Sequence, residues 1–406
     1  MSTTFTLDNL LKACAPGGAS CLTSNTELRL AAGPHASVAP AKFAAARSDH
    51  GTYAYETRYD GDVASDVVLI DSKQSQLNRI EHELAEAIRD GHEILSRLPR
   101  LVVSYRRGDD TVELSDLDLP HRAFDGHIRA ATIDGVPVTQ HDRYRQIRDA
   151  NPADARVLLE SSPASLVFGS WDSSRAARQG RWRSILVGEI VGFCEKPEPD
   201  KPTLKGGARI DPLGMRIELT GPALKDLAQR QRSELSRSLF EKVVKSADAA
   251  KGDKRAKGSP VGLGGIPPTL EQLAGVACRK ITRSHVLSFA ALRQIRFGAG
   301  AEGDAACRAL LAALALNGLA RSDTELVLRA NCDLVEAGPT KVTVFDRAGE
   351  TKEFTPLTIA EADALLAAAL KHAEQVARVD WHGVVLRVQG DPAIAAGAVD
   401  EENGDS

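Results

Sequence analysis

Val67-Val68-Leu69-Ile70 is a short apolar run, β-branched at three of its four positions, closed by Asp71-Ser72. A run of this kind bounded by polar turn residues predicts a buried strand. From Leu77 the apolar positions change period. Leu77, Ile80, Leu84 and Ile88 fall on one stripe of a helix, with Arg79, Glu83 and Glu86 facing away. Ser72 or Ser75 is the expected cap, and the unpaired N–H groups of such a first turn also suit a phosphate or carboxylate. A strand that runs through a short polar turn into an amphipathic helix is the unit of an α/β or α+β domain.

The same reading carries along the chain. Residues 1–40 are weakly patterned, with a helix near Leu7–Ala13 and turns at Pro16-Gly17-Gly18 and Gly33-Pro34. Thr52–Tyr59 alternates like a strand. Leu101–Tyr105 and Thr111–Leu114 predict a hairpin, and residues 115–160 a polar, mixed insertion with a tight turn at Ile133–Val136. Leu166–Trp171 and Ile185–Phe193 read as strands around an Arg-rich finger, Asp172–Arg183. Pro222 opens a helix through Phe240, and Lys245–Pro268 is low in complexity and reads as a mobile loop. Helices follow at Ser284–Phe297 and at Asp304–Leu319, the second ending at Asn317-Gly318, then strands at Glu325–Leu334 and Lys341–Phe345. Thr358 and Glu361 form a capping box for a helix to about Ala377, with Leu366, Leu370, Ala373 and Ala377 on one face. Val384–Val388 is the last strand, and the small, acidic Ala393–Ser406 is expected to be disordered. The chain thus divides into an N-terminal extension (1–50), a central domain (51–300) with insertions at 115–160, 172–183 and 245–268, a helix-rich part (301–392) completing the core, and a tail (393–406).

Composition sharpens this picture. With 406 residues, 43% of them hydrophobic, the chain can bury a large core. It has no apolar run of membrane length and no basic, apolar leader, so a soluble cytoplasmic protein is expected. The six cysteines include no C-x-x-C pair and predict reduced core residues rather than disulfides or zinc. The net charge of −4 conceals a division: residues 205–299 hold 18 Lys+Arg against 8 Asp+Glu, and residues 300–406 hold 9 against 18. A basic middle suits a polyanion, and with aromatics at 4% the backbone of a nucleic acid, rather than its bases, would supply most contacts.

Candidate chemistry is sparse. His141-Asp142 lacks partner histidines for a metal dyad, Gly169-Ser170-Trp171-Asp172-Ser173 is not a nucleophile elbow, and no G-x-x-x-x-G-K-[ST] occurs. His121-Arg122 and Asp125-Gly126-His127 offer the acid, base and phosphate clamp of a nuclease, in a metal-dependent reading that uses His121, Asp125 and His127. Lys205-Gly206-Gly207-Ala208-Arg209 offers backbone access flanked by charge. Neither a cofactor nor a metal nor an enzymatic activity is expected.

Several blocks in fixed order resemble a known family: VVLIDSKQSQLNRIE (67–81), LPHRAFDG (119–126), SPASLVFGSWDS (162–173), RWRSILVGEIVG (181–192), KGGARIDPLG (205–214), GLGGIPPTLEQLAG (262–275) and LRQIRFG (292–298). They look like the CRISPR-associated backbone subunit of type I-G (formerly I-U) Cascade, a Cas-seven-type RAMP-superfamily protein of the Csb family. The resemblance spans roughly residues 60–298. It implies an α+β fold with an RRM-like (ferredoxin-like) palm, inserted finger and thumb elements, and a helical C-terminal part. It also implies copies assembled head to tail along a crRNA, target DNA recognised through guide pairing, and association with a large subunit, a fused Cas-five/Cas-six type subunit and a recruited helicase-nuclease. No catalysis is implied, although related type III subunits cleave RNA with an acidic residue. Either 172–183 or 245–268 would serve as the thumb. Beside the charge pattern, this makes Gln76, Asn78, Arg79, His121, Arg122, Trp171, Arg175, Arg178, Arg181, Arg183, Lys205, Arg209, Lys280, Arg283 and Arg293 the expected RNA contacts. A scaffold that uses its basic middle to bind an acidic protein is the alternative to both the nuclease and the RNA-binding readings.

Overall fold

A computed structural model describes residues 3–43, 52–107, 110–172, 174–175, 180–195, 203–205, 209–252, 254–266, 269–271 and 275–398. The chain divides into two units, Met1–Lys196 with Gly275–Ala398, and Pro197–Ala274.

The larger unit contains β1 (Thr3–Thr4), α1 (Leu7–Cys14), β2 (Cys21–Leu30), β3 (Tyr55–Asp60), β4 (Val63–Asp71), α2 (Lys73–Arg89), β5 (Arg100–Arg107), β6 (Asp110–Ser115), β7 (Leu186–Cys194), β8 (Cys278–Ser288), α3 (Gly300–Ser322), β9 (Lys341–Phe345), β10 (Thr351–Thr355), α4 (Ile359–Ala377) and β11 (Val384–Gln389). Its main sheet has the order β1-β10-β9-β2-β8-β7-β4-β3, with Leu334–Glu336 also pairing β2. Neighbours are antiparallel except β1 and β10. Leu77, Ile80 and Leu84 of α2 share one core with Leu22 of β2, Leu186 of β7, Leu287 of β8 and the interior of α3. The helices therefore cover one face of the sheet. A second sheet joins the β5–β6 hairpin to β11, which runs parallel to β5 from the far end of the chain.

The opening strand and helix form as their periods predict. Val67, Val68 and Ile70 are buried, and Ser72 caps α2 by accepting from the Ser75 amide at 3.2 Å. The Thr358–Glu361 capping box forms, and the predicted face of α4 is buried. All six cysteines are free.

Two strands escape the sequence pattern. Residues 1–50, expected as an extension, contain β2 in the sheet interior. β2 alternates, but Ser24 and Thr26 occupy two of its buried positions, so the apolar rhythm is broken. Thr26 satisfies its hydroxyl on Thr340 at 2.7 Å. The helix expected over Ser284–Phe297 is instead the end of β8 followed by one turn, Phe289–Leu292. Here Arg283 and His285 take buried positions. Arg283 reaches Asp323 at 3.1 Å, and the imidazole lies where a Cβ at Gly188 would overlap it.

Other expectations shift in extent. Leu166–Trp171 is the end of a helix, Pro163–Val167, then a turn at Gly169 (φ +81°) and a short strand, Ser170–Trp171. α3 runs through Asn317-Gly318, where an added Cβ would stand 2.6 Å from Ile80, so glycine permits the close crossing of α2. This helix is long and apolar enough to cross a membrane, yet its apolar stretch, residues 303–320, is buried inside the fold. Of Glu325–Leu334 only Leu334 joins a strand. Pro392–Gly397 is helical, and the tail beyond Ala398 lies outside the described residues.

The smaller unit has its own core of Leu224, Ala228, Val243, Ala247 and Ala256. The single helix expected from Pro222 is two, Gly221–Arg230 and Arg237–Ala249. Within Lys245–Pro268, expected as a loop, Arg255–Lys257 pairs with Glu218–Thr220. The small residues Ala247 and Ala256 supply packing there, which a compositional reading takes for low complexity.

Candidate nucleic-acid interface

Asp71, at the end of β4, is fully buried and organises the start of α2. It accepts from Gln76 Nε2 at 2.6 Å, from Arg79 Nε at 3.2 Å and from an Arg329 guanidinium nitrogen at 2.9 Å. Arg329 also donates to the Ile70 carbonyl at 2.7 Å, and Arg79 to the Val327 carbonyl. Gln76 is buried and Arg79 half-buried, so both expected RNA contacts are committed to this node. Asn78 remains exposed, beside a cleft of about 520 Å³ that Ser75, His82 and Glu83 line with it.

A second node ties distant sequence blocks together. Arg122 sits at φ +50° with its fork on Glu81, both bonds 2.5 Å, and its remaining terminal nitrogen on the Gly169 carbonyl at 2.6 Å. Burial pushes the Glu81 carboxyl upward while the Arg122 charge pulls it back. Removing either partner would strand a buried charge. Arg122 is therefore a structural bracket between α2 and the 169–182 region, not an open RNA contact.

The other expected cations divide in the same way. Arg175 bonds Asp149 at 2.6 Å, Arg209 grips the Gly264 carbonyl at 2.6 Å, and Lys280 pairs with Asp60 at 2.7 Å. Arg283 is buried against Asp323, and Arg293 donates to the Ala13 and Ala19 carbonyls at 2.6 and 2.9 Å. These arginines and lysine read as free charges in sequence because their partners lie far away along the chain. Arg178 and the Lys205 side chain lie outside the described residues. Exposed are Asn78, His121, Trp171, Arg181 and Arg183. Neither Arg181 nor Arg183 makes an ion pair among the described residues.

The sheet face turned away from the helices is polar along β2 and β8, and apolar along β7 and β4, where Val191 and Phe193 pack on Val67 and Leu69. Along β2 the outward residues are Thr23, Asn25, Glu27 and Arg29, opposite Val286, Ser284 and Thr282 of β8. Phe193 of β7 is buried there, with Arg279 and Lys280 over its ring at 5.8 and 5.3 Å. The sequence reading missed Arg329 and Arg279. Nothing local signals Arg329, which stands 258 positions from Asp71.

The nuclease constellation does not assemble. Asp125 is buried and accepts from the amides of His121 at 3.1 Å and His127 at 2.9 Å, capping a short helix, while His127 Nδ1 meets the Tyr105 hydroxyl at 2.7 Å. Among the described residues no cluster of His, Cys, Asp or Glu has the geometry to hold a metal.

Residues 22–195 match the family model described as CRISPR-associated protein GSU0053. Over that span the chain is similar to a CRISPR-associated family. No curated protein matches it. The matched span runs from β2 to the end of β7, so it takes in both the Asp71 and Glu81–Arg122 nodes and the exposed Trp171, Arg181 and Arg183. β8, α3 and the smaller unit lie beyond it.

Proposed function

We propose that the chain is a non-catalytic crRNA-binding backbone subunit of a type I-G CRISPR surveillance complex. The observation that carries this reading is the match of residues 22–195 to a CRISPR-associated family. Strand order supports it. β2, α2, β7, β8, α3 and β9 follow one another as β-α-β-β-α-β, with spatial order β9-β2-β8-β7, the arrangement of an RRM-like, ferredoxin-like palm. The β3–β4 hairpin extends that palm beyond β7, and residues 197–274, inserted between β7 and β8, and the 170–182 ribbon are the candidates for thumb and finger. A subunit that must ignore guide sequence should touch phosphate and ribose. The outward polar stripe of β2 and β8, with Thr23, Asn25, Thr282 and Ser284, suits that task. Target DNA would be engaged through guide pairing, with neighbouring copies and the other complex subunits as protein partners. The committed roles of Asp71 and Asp125 support a binding rather than a cleaving protein.

Extraction and sequencing of the RNA that co-purifies with the chain tests the reading. The expected result is RNA carrying CRISPR-repeat sequence, in complexes whose size grows with guide length. A protein that remains monomeric and free of nucleic acid when expressed beside its own crRNA overturns it.

A further inference from the structure

Three tryptophans occur in the chain, and only one is presented to solvent. Trp381 is fully buried, Trp182 is 7% exposed and Trp171 is 40% exposed. Trp171 lies on a two-stranded ribbon directly opposite Arg181, whose guanidinium carbon stands 4.6 Å from the indole centroid. Alternation along the second strand turns Arg181 and Arg183 outward and Trp182 inward. One face of the indole thus carries a cation, and a second cation, Arg183, without an ion pair among the described residues, stands two residues further along.

The ribbon is held from beneath. Gly169 adopts φ +81°, and a Cβ there would stand 2.7 Å from the Ser184 hydroxyl. Its carbonyl is gripped by Arg122, itself fixed on Glu81. Buried Asp172 pairs with Arg129 at 3.2 Å and donates its amide to the Gly180 carbonyl at 2.9 Å. Ser184 donates to the Phe168 carbonyl at 2.6 Å. A large aromatic ring on a preformed support binds without the ordering cost of a mobile side chain. Stacking on indole accepts any base, and arginine beside it adds cation–π attraction.

We propose that Trp171 is a stacking platform for one unpaired nucleobase of single-stranded RNA, with Arg181 closing the opposite face of the indole and Arg183 holding an adjacent phosphate. The proposal rests on the RNA-binding reading above and adds a base contact to an otherwise backbone-directed surface. Stripped of co-purifying nucleic acid, the full-length protein is titrated with a short oligoadenylate and with a ribose-phosphate strand of equal length lacking bases. Tryptophan emission reports the platform, because the other two indoles are shielded, and anisotropy of the labelled strand reports total binding. Oligoadenylate should quench the emission. Trp171→Ala should abolish the quench and weaken oligoadenylate binding about tenfold. Trp171→Phe should retain most of the affinity, and the base-free strand should bind wild type and Trp171→Ala alike. Undisturbed emission while anisotropy shows binding overturns the platform and leaves the RNA-binding reading standing. So does an equal loss on both strands in Trp171→Ala. Absence of any RNA binding by the wild type overturns both.

Discussion

Asp116 is fully buried, and neither carboxylate oxygen makes a well-formed hydrogen bond among the described residues. Burial raises its pKa from 3.8 to about 7, aided by the Glu81 charge and opposed by Ser162 and Arg100. A folded-state pKa above the unfolded value means that the folded chain holds the proton where the unfolded chain has released it. The contribution to stability is fully present below pH 3.8 and is lost as pH rises through about 7. At 1.36 kcal/mol per unit the cost of ionisation is on the order of 4 kcal/mol. Asp116→Asn keeps the shape of the neutral acid and removes the titration. Thermal unfolding should therefore show the variant matching wild type near pH 4 and exceeding it by several degrees at pH 8. A variant whose melting temperature tracks that of wild type across this range would show that Asp116 is already solvated or paired. Glu81, raised by the same cause, gives the variant a residual slope of the same sign. Asp71, also fully buried, shows the contrasting arrangement: two arginines and one glutamine donate to its carboxyl oxygens.

At the scale of elements, what could be read from sequence is what buries apolar side chains at a regular period. β4 and α2, α1, β5, β7, β9, α4 and β11 all do so. β2 and β8 do not, because Ser24, Thr26, Arg283 and His285 sit under the helices. Their solvation is replaced by contacts with residues distant in sequence, Thr340 for Thr26 and Asp323 for Arg283. The candidate site was legible only in part for the same reason. An arginine bonded to a carbonyl or carboxylate on another element has the same local pattern as one waiting for phosphate. The β7–β8 pairing provides a direct check. His285 faces Gly188, and burial with the neighbouring Arg283 charge drives its pKa down to about 3, so the ring is neutral in the fold. Gly188→Ala should drive the imidazole out of its place and cost about 1–3 kcal/mol by overpacking. The double variant Gly188→Ala with His285→Ala should recover part of that loss in denaturant unfolding. Additive losses would show that the glycine serves the strand backbone instead.

The whole molecule is weakly acidic, so the RNA of the proposed function would find it through a local field rather than through net charge. The excess of cations over 205–299 overstates that field, because Lys225, Arg230, Arg237, Lys280 and Arg283 each face a carboxylate. Exposed, unpaired arginines should count for more than their number. Arg183 and Arg283 make the comparison sharp, since both were expected contacts and only Arg183 is open to solvent. Removing a phosphate contact lowers the dependence of log K on log salt by about 0.7 for a single strand. Arg183→Ala should lower the slope by that amount on every RNA sequence and leave the melting temperature unchanged. Arg283→Ala should do the reverse: it takes the cation from Asp323, whose side chain is about three-quarters buried, at a cost of about 1–3 kcal/mol, while the salt slope of the folded fraction stays the same. Binding isotherms at several salt concentrations, with melting curves of the same preparations, separate the two. An Arg183→Ala protein with the wild-type slope would take the RNA path off this ribbon.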